Sequence, residues 1–92
     1  MNRDAKFYFA NLCADMVRCS LAYSNNEKER YLSSLARGRK TLRALRNTNR
    51  HEAYEEGLLL FSALKYAKSA GSLDKFDNDV GKLAKIFVSA NK

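Results

Sequence analysis

Proline is absent from this 92-residue chain, and glycine occurs only at positions 38, 57, 71 and 81. Helices therefore meet almost no forced breaks, since proline removes a helical hydrogen bond and glycine is the weakest ordinary helix former. Tryptophan is also absent, and there are one histidine and two cysteines. On a helix, Cys13 and Cys19 point about 120° apart and stand about 9 Å apart along the axis, too far for a disulfide within the helix. Two thiols and His51 lack the paired spacing of zinc ligands, so no metal and no cofactor is expected. The cysteines read as reduced, buried, small apolar side chains, with a bridge between subunits left open.

The same scarcity bears on catalysis. A nucleophile needs a base beside it, and acid-base work needs carboxylates converging on a cleft. His51 reads as a surface residue in the first turn of a helix, Glu55 and Glu56 are adjacent and diverge, and no glycine-rich phosphate loop occurs. The chain is expected to be nonenzymatic. Long apolar runs are missing as well: Asp4, Lys6, Asn11, Asp15 and Arg18 punctuate the N-terminal segment too often for a signal peptide or a membrane span. A cytoplasmic protein is expected.

What is present argues for a folded helical domain. The composition is 46% hydrophobic, with five tyrosines and five phenylalanines spread along the chain, although 29% of residues are charged. Such a chain has enough apolar surface to fold, and its length suits a single domain, residues 1–92, that buries about 60–65% of its unfolded surface. No stretch alternates apolar and polar residues for long, which excludes strands.

Four helices emerge from the periodicity, at about residues 4–23, 27–46, 50–70 and 73–89. The first carries two neighbouring apolar stripes, Phe9, Leu12, Met16, Cys19, Tyr23 and Phe7, Ala10, Ala14, Val17, Leu21. A third stripe, Asp4, Tyr8, Asn11, Asp15, Arg18, is more polar, and its start is left open at Asn2 or Arg3. Two apolar stripes are wide enough to serve either two neighbours in a bundle or a second copy of the chain.

Asn25 or Asn26, with Glu29, is placed to cap the second helix, and Thr48 or Asn49, with Glu52, the third. Tyr31, Leu35, Leu42 and Leu45 fall in one sector of the second helix with Gly38 in its middle. The third holds Leu58, Leu59, Leu60 and Phe61, which point all round the axis and mark it as the central helix. Gly71 is positioned for a left-handed cap and Ser72 to start the fourth helix. There Leu73, Phe76, Val80, Leu83 and Phe87 share a stripe, flanked by Ala84 and Val88, opposite Lys75, Asn78, Lys82 and Lys85. Short connections make the expected fold all-α, an antiparallel four-helix bundle.

The net charge of +7 is concentrated. Residues 26–50 hold eight cations against two acids, a net of +6, and no acid occurs between Glu29 and Glu52. Opposite the apolar sector of the second helix lie Arg37, Arg39, Lys40, Arg43 and Arg46, without acidic partners three or four residues away. Arg46 and Arg50 are near enough to Glu52, Glu55 and Glu56 to be spent on ion pairs, which leaves Arg37, Lys40 and Arg43 free with Arg39 beside them. The face is either the solvated back of an amphipathic helix or a surface for a polyanion. Five or six phosphate contacts would bind nucleic acid with little sequence preference and a steep salt dependence. No helix-turn-helix, zinc finger or RNA-recognition aromatic pattern occurs to read bases. Tyr8, on the polar stripe, could stack on a base or face a partner subunit.

The segment NNEKERYLSSLARG opens the second helix. In EEGLLLFSALKYAKSAGSLDKFDNDVGKLAKIF a leucine-rich helix ends at Ala-Gly, and a last helix follows after a very short link. In element order the chain resembles the small four-helix-bundle proteins that include those encoded by intervening sequences of bacterial 23S ribosomal RNA genes and the accessory variability proteins of diversity-generating retroelements. The resemblance implies a basic bundle that associates into a ring, binds nucleic acid through its outer surface and, in the retroelement case, docks on a reverse transcriptase. It carries over no particular residue. The functional expectation is thus a homo-oligomeric, nonenzymatic adaptor that holds RNA or DNA backbone through Arg37, Arg39, Lys40, Arg43 and Arg46. The alternative is a protein-interaction module, encoded by a phage or mobile element, that docks on an acidic partner.

Overall fold

The computed structural model describes residues 4–89, with side chains as far as residue 86. Four helices occupy nearly all of it: α1 (Ala5–Ser24), α2 (Lys28–Arg46), α3 (His51–Ala70) and α4 (Leu73–Ser89). Each lies within a residue of its expected span, and turns of two to four residues reverse the chain between them, giving the antiparallel bundle. The long dimension of 36 Å is little more than the roughly 30 Å of one 20-residue helix.

The caps differ from expectation at the starts of α2 and α3, and the start of α1, left open by the sequence, is settled at Asp4. Asp4 caps α1, accepting a hydrogen bond from the Phe7 amide at 3.0 Å; Asn2 and Arg3 lie outside the described residues. Before α2, Asn26 takes a φ of +59°. Its amide donates to the Tyr23 carbonyl at 3.2 Å while that of Glu27 reaches back to Ala22 at 2.8 Å. That is the six-to-one closure that ends a helix, with asparagine in the position glycine usually fills. Asn26 therefore finishes α1 and does not start α2, whose N-cap Glu27 makes no side-chain cap bond.

The next turn repeats the exchange. The Thr48 hydroxyl donates to the Leu45 carbonyl at 2.7 Å, closing α2, and Asn49 has a φ of +63°. Arg50 stands at the N-cap of α3 without a capping bond. Gly71 ends α3 in the left-handed region as expected, with φ +70°. The Ser72 amide donates to Ala67 at 3.0 Å, and the Ser72 carbonyl accepts from Phe76, opening α4.

α1 and α3 each pack against all three other helices, while α2 and α4 do not touch, and α1 contributes the largest share of the buried core. Phe9, Leu12, Met16 and Cys19 of α1 are wholly buried, against Leu45 of α2, Leu60 and Leu64 of α3, and Phe76 and Val80 of α4. The leucine run of α3 does not turn inward on all sides: Leu58 and Leu59 are 43% and 60% exposed. The first stripe of α1 is buried apart from Tyr23, whereas in the second Phe7 and Leu21 are exposed and Ala10, Ala14 and Val17 are half-buried, so part of the apolar width of α1 stays at the surface. On α4, Leu73, Phe76, Val80 and Leu83 face inward and Lys75, Asn78, Lys82 and Lys85 outward; Phe87 and Val88 lie outside the described side chains.

Two glycines set how closely these helices approach. A Cβ on Gly57 would stand 2.7 Å from Leu42 Cδ1 and 2.9 Å from Leu12 Cδ2. One on Gly38 would stand 3.0 Å from Met16 Cε. Both are buried contact points, so α3 rests against α1 and α2 at Gly57, and α2 against α1 at Gly38.

Candidate nucleic-acid interface

Because α2 packs on α1 and α3 alone, the rest of its circumference is open. Arg37, Arg39, Lys40, Arg43 and Arg46 are all exposed. At 100° per residue they divide into two groups about the buried sector. Arg39, Lys40, Arg43 and Arg46 fall on one flank and the back of the helix, and Arg37 on the other flank. The four on the first side lie within eight residues, about 10 Å of helix. Among the described residues, none of these four has a carboxylate within 4 Å.

Arg37 is different. Its Nη1 stands 3.9 Å from Asp15 Oδ1, which also accepts a hydrogen bond from Arg18 Nη1 at 3.0 Å. Asp15 was expected on a polar outer stripe, and instead its side chain is only 2% exposed. Burial pushes its carboxyl above the ordinary aspartate value, while the charges of Arg18 and Arg37 and hydrogen bonding from Arg18 and Thr41 pull it back. The two guanidinium groups keep water on one side, each 57% exposed. Arg37 is thereby shared between an internal carboxylate and the surface, and it does not belong to the free set.

Arg50 pairs with Glu52 at 3.1 Å, as the turn suggested. Arg46 has no carboxylate within 4 Å among the described residues, so it joins the free cations. Tyr8 is half-buried, edge-on to Phe7 with ring centroids 5.5 Å apart, and lines a hollow beside Asp4 and Arg50. Its ring is engaged inside the fold to a greater degree than the outer stripe implied.

On its α3 side, α2 borders a groove of about 570 Å³. Arg39 lies on one wall, Lys65 and Lys68 on the other, and no acid lines it. Lys68 is fixed in place: its Nζ donates to the Tyr31 hydroxyl at 2.6 Å and lies 4.6 Å from the centre of that ring and 5.0 Å from that of Tyr23. The two tyrosine rings meet at 5.6 Å. Lys65 and Lys68 escaped the sequence reading because α3 as a whole is slightly acidic. Only the packing of α3 beside α2 places these two lysines next to Arg39.

The remaining chemistry is sparse. Cys13 and Cys19 are free and buried, and burial raises both thiols to about 11, so they stay protonated and unreactive near neutral pH. Among the described residues there is no cluster of three or more potential metal ligands, and no helix is long and apolar enough to cross a membrane. No protein-family model, curated protein or solved structure matches the chain.

Proposed function

We propose that this bundle is a nonenzymatic adaptor that binds the sugar-phosphate backbone of nucleic acid through Arg39, Lys40, Arg43 and Arg46. The observation that carries the reading is the set of four exposed cations on an uncovered helix face, without a carboxylate within 4 Å among the described residues. Electrostatics supplies most of the affinity of such a surface, and it distinguishes sequences weakly. Arg37 contributes at the margin, since Asp15 already takes part of its charge.

The test is a triple substitution, Lys40→Glu, Arg43→Glu and Arg46→Glu, assayed by fluorescence anisotropy on a labelled oligonucleotide at low salt. Wild-type affinity should fall with salt at a log-log slope of about −3 to −4, in keeping with four phosphate contacts. The variant should retain its far-ultraviolet circular dichroism and lose binding. Unchanged affinity would remove the proposal. Three of the four free cations are arginines, whose planar fork suits carboxylates as well as phosphates, and this favours a second reading, docking on an acidic protein. A protein-specific surface would hold its partner in excess polynucleotide, whereas a backbone-binding one would release it.

A further inference from the structure

The groove between α2 and α3 differs from the other hollows bordering α2 in having one sign of charge over an apolar floor. The one on the opposite flank, about 600 Å³, sets Arg18, Arg30 and Arg37 among the acids Glu27 and Glu29. In the α2/α3 groove, Leu35, Phe61 and Tyr31 form apolar and aromatic walls beneath Arg39, Lys65 and Lys68. Neither Arg39 nor Lys65 has a carboxylate within 4 Å among the described residues, and both are exposed. Lys68 is held by Tyr31 and not by an acid, so it keeps its charge available while its position is fixed. Arg39 belongs both to this groove and to the strip on α2, which makes the two surfaces continuous.

A cationic rim over an aromatic floor is what an unpaired strand requires: phosphates along the edge and base faces against the rings. A duplex offers the same phosphates but keeps its bases stacked inside. We propose that this groove takes one or two bases of a single-stranded nucleic acid, with Phe61 and Tyr31 against the base faces and Arg39, Lys65 and Lys68 on the flanking phosphates. The inference rests on the backbone-binding reading above and adds to it a preference for single strands with their bases present.

The experiment compares three labelled probes of equal length with the full chain: a single-stranded thymidine oligonucleotide, an abasic strand with the same phosphates, and a duplex. The intact strand should bind at least about fivefold more tightly than the abasic one, the contribution of a single stacked base. Lys65→Glu, at an exposed side chain, should weaken single-strand binding about tenfold and lower the salt slope by about 1. Phe61→Leu should abolish the advantage of the intact strand. Because Phe61 also packs beside Gly38, the Lys65 variant decides the matter if the Phe61 variant does not fold. Equal affinity for intact and abasic strands, or single-strand binding indifferent to Lys65→Glu, overturns the groove and leaves backbone binding by α2 standing. Failure of every probe to bind at low salt overturns both.

Discussion

Asp15 is the residue on which the electrostatics of the fold turns. A carboxylate 2% exposed to solvent loses most of its hydration, and two guanidinium groups that are themselves half in water return only part of it. Its raised pKa fixes the sign of a pH effect. The folded state holds the proton more tightly than the unfolded chain does, so stability is fully present below the unfolded value near 3.9 and is lost as pH rises through the folded one. Asp15→Asn, which mimics the protonated form, should remove that decline. Urea titrations between pH 3 and pH 7 should show wild type losing stability relative to the variant, and parallel curves would refute the assignment. The variant also releases Arg37. The outward expectation for Asp15 came from its place on a stripe with Asp4, Asn11 and Arg18. Periodicity gives a residue's angle about its own helix, but not that a second helix will cover that angle with an arginine.

At the scale of elements, helix existence was readable because the chain has so few breakers and its apolar residues recur every three to four positions. Cap assignment was not, because asparagine serves two purposes. It accepts from amides at an N-cap and also tolerates the left-handed backbone that closes a helix, and the stretch SNNEK fits both. The structure uses Asn26 for closure at φ +59°. Glycines show the same ambiguity: Gly57 and Gly81 look alike in the sequence, each inside a helical pattern. Around Gly81 nothing stands within 4 Å of a would-be Cβ, whereas at Gly57 two leucine methyls stand within 3 Å. Gly81→Ala should therefore stabilise the protein by about 0.5–1 kcal/mol through helix propensity. Gly57→Ala gains the same propensity but must push Leu42 and Leu12 aside, and overpacking of about 1–3 kcal/mol outweighs it. Thermal melts of the two variants should shift in opposite directions. A shared direction would mean that α3 can move away from α1 and α2 at little cost.

For the whole molecule, the question is what an uneven charge distribution does to a small domain. The sequence located the charge on the second helix, and the uncovered face of α2 follows from packing that leaves it touching only α1 and α3. It could not show which cation would be taken by a buried acid, nor that lysines of α3 would come to lie opposite Arg39, since both depend on contacts between distant segments. Within α2, Arg43 is four residues from Arg39 and three from both Lys40 and Arg46, so it is the shared member of three like-charge pairs. At about 0.2–0.5 kcal/mol each, these repulsions sum to about 1 kcal/mol. The C-terminal end of the helix dipole favours Arg43 by roughly half that amount. Repulsion therefore prevails by about 0.5 kcal/mol in the free protein. Arg43→Gln should raise the melting temperature by about 2–4 °C at low salt, and in 1 M sodium chloride, where the Debye length is about 3 Å, the difference should fade. The same variant should bind nucleic acid more weakly. A cation that destabilises the free fold and strengthens the complex is one the fold does not need for itself. If Arg43→Gln lowered the melting temperature at low salt, Arg43 would instead be serving the fold through a partner, and the free strip would shrink to three charges.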